Sequence, residues 1–352
     1  MCRNLMWAYK IWSSSDQRYF VRFWRAVQPS DDIYKVKEAI RNHVDRDFLK
    51  SMCDPIQIPC GQCVECRLAN SRDWANRCML EAQYYKDNYF LTLTYDPEHL
   101  PMNNRIDLKT GEVLDLEETG TLVPKDLQDF LKRLRIHWQR EHGHIGIRFF
   151  ACGEYGEQKA RPHYHLILFN CPIFDLKVDH KSKKGNMNYT SEEILKIWQK
   201  GRIAVGSVTW DSCAYTARYV LKKINGPFSE AMYDSIGKEK EFVRMSRRPG
   251  IGRQFYEDKK NIIYATDEIF IPTGDGVMKV KPARYYDKLY DIDYEDDLKR
   301  VKEVRADKAE MALKVKYSQS DKSPEEQFRD KIESDELRYK ALKRKYEKDG
   351  SI

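Results

Sequence analysis

Arg161-Pro162-His163-Tyr164-His165-Leu166-Ile167-Leu168-Phe169 is the stretch whose reading decides the fold. It is patterned as a β-strand, and alternate residues of a strand share a face. His163, His165, Ile167 and Phe169 therefore point one way, and Tyr164, Leu166 and Leu168 the other. Two imidazoles on one sheet face can reach a single divalent ion when the rest of its sphere comes from elsewhere. They suit Mn²⁺, Zn²⁺ or Fe²⁺ as well as Mg²⁺. Alone, the pair equally describes two ordinary satisfied histidines. Its neighbourhood changes the balance. Glu154, in Cys152-Gly153-Glu154-Tyr155-Gly156, ends the preceding strand, one tight connection before His163. One carboxylate and two imidazoles then form a metal triad with open positions for a phosphate oxygen. Glu157 competes for the carboxylate role, and Glu154 is the preferred choice.

Around this strand the chain alternates strands and helices. Residues 88–95 (NYFLTLTY) are aromatic and β-branched and read as a strand, closed by Asp96-Pro97. Further strands are expected at 145–152 and 203–210. A helix is expected over 71–85 with Ser71 as N-cap. Pro124 opens an amphipathic helix whose Leu127, Phe130, Leu131, Leu134 and Trp138 recur at helical spacing. Thr190 and Glu193 suggest a capping box for a short helix ending near Gly201. Residues 212–224 read as a helix. Hairpins are expected around Thr110-Gly111 and around the TGDG that separates 267–271 from 277–281. Residues 172–189 read as a polar loop. After 291 the composition turns to Lys, Glu, Asp and Arg, with Leu298, Val301, Val304, Met311 and Val315 as a helical stripe. The expected division is a cysteine-bearing N-terminal segment (1–83), a core (84–226), a β-rich accessory region packed on it (227–290) and a charged helical tail (291–352).

Tyr215 and Tyr219 in AYTARYVLKK (214–223) are four residues apart, so on a helix they are neighbours on one face. Lys222 and Lys223 follow close by. Two core tyrosines with solvent lysines would give the same spacing. A tyrosine hydroxyl with its usual pKa of about 10 is a poor nucleophile at neutral pH, and a neighbouring cation or base eases its ionisation. A metal on a phosphate and a lysine beside the leaving oxygen stabilise the charge that develops in phosphoryl transfer.

Cys60-x-x-Cys63-x-x-Cys66, with Cys53 upstream, crowds four of the nine cysteines together. Thiolates suit tetrahedral Zn²⁺, so a structural zinc knuckle is one reading. Cys78 is an alternative fourth ligand. An iron–sulfur cluster, or simply reduced packing cysteines, are the others. Arg67 and Arg72 follow the cluster, and Arg161 precedes the histidines; each is a candidate phosphate contact or a solvated side chain.

The 352 residues carry a net charge of +7, with 33% charged and 41% hydrophobic residues. That describes a globular chain with mild bias towards a polyanionic partner. No stretch approaches the ~20 apolar residues of a membrane helix, and the opening residues do not pattern as a signal peptide. The odd cysteine count suits a reducing cytosol. There is no G-x-x-x-x-G-K-[ST] phosphate loop, so no ATP-driven helicase is expected in the chain.

Taken together, His163-Tyr164-His165, the FLTLTYD strand (90–96) and the Tyr215/Tyr219 pair resemble the HUH endonuclease superfamily. The segments CGQCVECRLANSRDWANRC (60–78), FLTLTYDPEHLP (90–101), KDLQDFLKRLR (125–135), CGEYGE…RPHYHLILFN (152–170), YTARYVLKK (215–223) and MSRRPGIG (245–252) are closer still to replication initiators of small single-stranded DNA phages, the gokushovirus branch of the Microviridae. The resemblance implies an α+β fold, with an antiparallel sheet of about five strands carrying the histidines on its central strand and a helix presenting the tyrosines to the metal. It implies Mg²⁺ or Mn²⁺ held by Glu154, His163 and His165, tyrosine attack on single-stranded origin DNA, rolling-circle replication in the bacterial host cytoplasm, and a host helicase and polymerase as partners. Two other functions remain open on the residues: a non-catalytic, zinc-stabilised nucleic-acid-binding regulator, and a hydrolase or oxygenase using the His-x-His site.

Overall fold

The computed structural model describes residues 5–13, 18–23, 53–61, 63–102, 105–106, 113–114, 120–156, 160–181, 187–219, 233, 237–274, 276–323, 326–327 and 329–337. The chain divides into two compact units, 1–70 and 71–352.

The first unit holds an antiparallel sheet of β1 (Leu5–Ser13), β2 (Arg18–Phe23) and β3 (Cys53–Pro59), ordered β2-β1-β3. No element is readable from sequence before residue 50, because the mixed aromatic and charged residues there lack clean alternation. Helix α1 (Val64–Ala82) begins seven residues before the expected Ser71. Ser71 is not its N-cap. It is buried inside the helix, and its Oγ donates to the carbonyl of Ala214 at 3.0 Å.

The second unit is α+β around a seven-stranded antiparallel sheet. Its strands are β4 (Tyr89–Thr94), β7 (Arg148–Tyr155), β8 (Pro162–Phe169), β9 (Lys177–Lys181), β10 (Met187–Thr190), β11 (Ile203–Ser207) and β12 (Phe242–Met245), in the order β12-β7-β8-β4-β11-β10-β9. The expectation of about five strands is corrected to seven. The two outermost, β9 and β10, lie within the stretch read as a polar loop. Their side chains face solvent or are half-buried, so they carry no apolar alternation to reveal them. Strand β8 is interior, flanked by β7 and β4.

Both faces of β8 are covered. On one face Tyr164, Leu166 and Leu168 meet helix α2 (Pro124–His142) through Leu127, Phe130, Leu131, Leu134 and Trp138, all buried as their spacing predicted. On the other, Ile167 and Phe169 join Phe150 with Ala75 and Cys78 of α1 and Cys213, Ala214 and Ala217 of α4 (Trp210–Tyr219). The small side chains on α4 let it lie close to the sheet. Helix α3 (Glu192–Trp198) is capped by Ser191, whose Oγ accepts from the Ile194 amide at 3.1 Å. Thr190–Glu193 is therefore not the capping box; the Glu193 carboxylate is turned towards α2 instead.

The stretch after β12 is less β-rich than expected. It contains α5 (Arg253–Thr266), the hairpin β13 (Ile269–Thr273) with β14 (Gly276–Val280), and α6 (Arg284–Asp293). Their aromatic core, Tyr256, Tyr264, Tyr286 and Tyr290, also takes in Leu80 and Leu298. Near residue 110 the paired β5 (Arg105–Ile106) and β6 (Val113–Leu114) agree with a hairpin. Helix α7 (Glu295–Ser318) opens the charged tail. Of its stripe only Leu298 is buried, while Val304, Met311 and Val315 are exposed. Ser323 and Glu326 exchange side-chain and backbone hydrogen bonds at 3.2 and 2.8 Å, a capping box not anticipated from sequence.

Candidate active site

The sheet register assembles the triad. Glu154 on β7 stands directly across from His163 on β8, and Thr92 on β4 directly across from His165. Side chains of opposed residues lie on the same face, so Glu154, both histidines and Thr92 converge. Glu154 Oε1 lies 2.7 Å from His163 Nε2 and 2.9 Å from His165 Nε2. Glu154 and His165 are buried, and His163 is partly open to solvent. Burial pushes the Glu154 carboxyl up, but the hydrogen bonds and charge of the two histidines outweigh it and hold the group below its ordinary value.

The tautomers make this arrangement informative. His163 Nδ1 lies 3.1 Å from the carbonyl oxygen of Arg161, which can only accept, so Nδ1 carries a proton. A neutral ring then keeps its lone pair on Nε2, facing the carboxylate oxygen. Two acceptors that close repel, and the contact is relieved either by a second proton on the ring or by a cation between them. The donor set of one carboxylate oxygen and two imidazole nitrogens fits a divalent ion. Ligand atoms at right angles on bonds of about 2.1 Å lie roughly 3 Å apart, and the observed separations are of that size. A histidine that binds through one nitrogen and donates to a carbonyl through the other is held in the right tautomer.

Tyr215 lies beside this centre. Its ring meets His165 edge-on, with centroids 5.1 Å apart, and meets Phe90 at 6.2 Å. Phe90 in turn stacks on His165 at 5.5 Å. Helix α4 is fixed for this by its buried Cys213, Ala214 and Ala217, by Ser71 on the Ala214 carbonyl, and by Trp210 Nε1 donating to Asn76 Oδ1 at 2.8 Å. Tyr219 is the last residue of α4. Its side chain, together with Lys222, Lys223 and Glu157, lies outside the described residues.

Sequence reasoning missed two residues. Thr92 Oγ1 is 3.0 Å from His165 Nδ1 and orients that ring, and Phe90 supports the ring's face. Alternation along FLTLTY puts both on one face, but only the β4–β8 register says which histidine they meet. Thr92→Val, which keeps shape and removes the hydroxyl, is expected to weaken divalent-metal affinity about 10- to 100-fold. Titrating Mn²⁺ against the variant and wild type checks this; equal affinities would remove Thr92 from the site. Gly153 also acquires a reason, since a Cβ there would come 2.8 Å from the Phe242 ring.

Arg161 reaches the Tyr95 carbonyl at 3.1 Å, whereas Arg72 is exposed and Arg67 half-buried. In the first unit, the Cys60, Cys63 and Cys66 sulfurs lie within 4.8 Å of one another, and the Cys63 amide donates to Cys60 Sγ at 3.3 Å. The Cys53 side chain lies outside the described residues. Cys78 is not available as their fourth ligand, because its thiol is fully buried in the second unit in contact with that of Cys213.

This sheet and site belong to a class of proteins that serve DNA replication. The family model for replication-associated proteins of the ORF2 kind matches residues 88–224, the span from β4 through α4. The chain is 37% identical over 259 residues to the "Replication-associated protein ORF2" of Spiroplasma virus 4, covering 73% of this chain and 75% of that one. It is 32% identical over 236 residues to the "Replication-associated protein VP4" of Bdellovibrio phage phiMH2K, covering 66% and 67%. With the "Replication-associated protein ORF4" of Chlamydia phage 1 it shares 31% identity over 211 residues, covering 56% and 48%. The chain belongs to this replication-associated protein family, and these relatives are all from Microviridae. No solved structure matches it. Among the described residues no helix is long and apolar enough to cross a membrane.

Proposed function

We propose that the chain is a replication initiator of the HUH type that nicks single-stranded phage origin DNA by tyrosine attack. The observation that carries this reading is the convergence of Glu154, His163 and His165 beside the Tyr215 ring. Glu154, His163 and His165 would hold Mg²⁺ or Mn²⁺, which when bound withdraws electron density from a scissile phosphate and stabilises its developing charge. The Arg161 carbonyl and Thr92 orient the two imidazoles. The phenolic oxygen of Tyr215 or Tyr219 attacks phosphorus, losing its proton. The bond from phosphorus to the 3′ oxygen breaks, and that oxygen takes up a proton. The products are a 5′-phosphotyrosine and a free 3′-hydroxyl, with Lys222 or Lys223 stabilising the leaving oxygen.

The phosphoester energy is kept in the phosphotyrosine, so rejoining needs no ATP. With two tyrosines, one holds the first DNA end while the other cuts the regenerated site and a circle is released. By the family resemblance a host helicase and polymerase, in the host cytoplasm, supply unwinding and synthesis. Cys60, Cys63 and Cys66, with Cys53, are proposed as a structural Zn²⁺ knuckle, and Arg67, Arg72 and Arg161 as phosphate contacts.

The test uses labelled single-stranded DNA pooled from phage sequences, incubated with the full chain and Mn²⁺. Label migrating with protein on a denaturing gel is expected for wild type and lost in Tyr215→Phe/Tyr219→Phe. Specific DNA binding without cleavage would turn the reading to a non-catalytic regulator. Cleavage without an adduct would turn it to a hydrolytic nuclease.

A further inference from the structure

A second cluster of metal-ligating side chains lies on the other side of the sheet, against the face that Tyr164 and Trp138 fill. His137 and His142 come from the last turns of α2, and Glu193 from the first turn of α3. His137 Nε2 is 2.7 Å from Glu193 Oε1, and His142 Nε2 is 2.6 Å from the same oxygen. Five residues apart on a helix, two side chains stand roughly 140° apart around its axis. These two rings nevertheless meet at one point, with centroids 6.1 Å apart.

The surroundings hold that point in place. His142 lies against Phe174 at 4.5 Å and Trp138 at 5.4 Å. Asp175 accepts from the Glu193 amide at 2.9 Å and from Ser191 Oγ at 2.5 Å, while Ser191 caps the helix. The first turn of α3 is thus satisfied without the Glu193 carboxylate, which is left to the two imidazoles.

We propose that His137, His142 and Glu193 form a second metal site, for Zn²⁺, that ties the C-terminal end of α2 to the start of α3. Two imidazole nitrogens with one carboxylate oxygen are a zinc donor set. Mg²⁺ instead favours oxygen ligands and retains its waters, so the site differs in preference from a phosphate-handling centre. The three side chains are 19–35% exposed, which lets water or an external ligand complete the sphere. The competing account is that both imidazoles donate Nε2–H bonds to the carboxylate with no ion.

Metal-free full-length protein is titrated with Zn²⁺, and bound metal is counted by equilibrium dialysis. His137→Gln, His142→Gln and Glu193→Gln are each expected to bind one equivalent fewer than wild type. His163→Gln/His165→Gln is expected to keep the equivalent that depends on His142, so the result stands whether or not the chain nicks DNA. His137 is the most exposed of the three, and far-UV circular dichroism of its variant keeps loss of a ligand apart from loss of fold. Zn²⁺ counts equal to wild type in folded His137→Gln and His142→Gln would overturn the proposal and leave a hydrogen-bonded cluster.

Discussion

Glu154→Gln is expected to lower metal-dependent cleavage of single-stranded DNA by about 100-fold or more while leaving the protein folded. The substitution keeps the volume of a buried side chain and removes the one negative charge facing both histidines. Without that charge, two neutral imidazoles are left to attract a cation, and Mg²⁺ and Mn²⁺ bind such a pair poorly. The amide can still satisfy one or both rings by hydrogen bonding, so the strands should stay in register. The check is cleavage rate against Mn²⁺ concentration, alongside thermal unfolding of both proteins. If the variant cut DNA within about threefold of wild type at equal metal, Glu154 would not be a ligand.

Gly201→Ala is expected to destabilise the protein by about 3 kcal/mol or more, for a reason confined to the backbone. Gly201 has φ +144°, and a Cβ there would lie 2.4 Å from the Asp96 amide nitrogen, 2.4 Å from the Thr94 carbonyl oxygen and 2.7 Å from the Tyr95 carbonyl carbon. These atoms cannot withdraw cheaply. The Thr94 amide donates to the Arg202 carbonyl at 2.9 Å, and the Asp96 amide donates to the Lys200 carbonyl at 3.0 Å. Thr94 is also directly across from His163. Relief of the clash therefore shifts the strand that flanks the candidate metal ligands, and cleavage should fall together with stability. Denaturant unfolding at equilibrium measures the first effect, and a midpoint equal to that of wild type would contradict the close approach.

What can be read from the sequence follows what it encodes locally. The interior strand β8 and helix α2 are legible because alternation and 3.6-residue periodicity each place a large apolar face against a core. Glu154, His163 and His165 can be singled out because strand alternation, a short connection and residue chemistry point to the same three positions. The exposed β9–β10 hairpin cannot be read, since Lys177–Lys181 is fully solvent-facing and is held by pairing alone. Thr92 as the partner of His165 depends on a register between strands 73 residues apart in sequence. The His137–His142–Glu193 cluster needs two helices to be brought together, and a spacing of five residues on one of them gives no hint of it. Ser71 and Thr190 pass for caps in the sequence because Ser and Thr satisfy helix ends and buried carbonyls equally well.

The central claim is that a tyrosine of α4 becomes covalently joined to DNA. The most direct measurement is mass spectrometry of the adduct formed with single-stranded origin DNA and Mn²⁺, after nuclease trimming and proteolysis. The account predicts a phosphonucleotide on Tyr215 or Tyr219, absent when metal is withheld. A phosphonucleotide on any other residue, or cleaved DNA with no modified peptide, would contradict it.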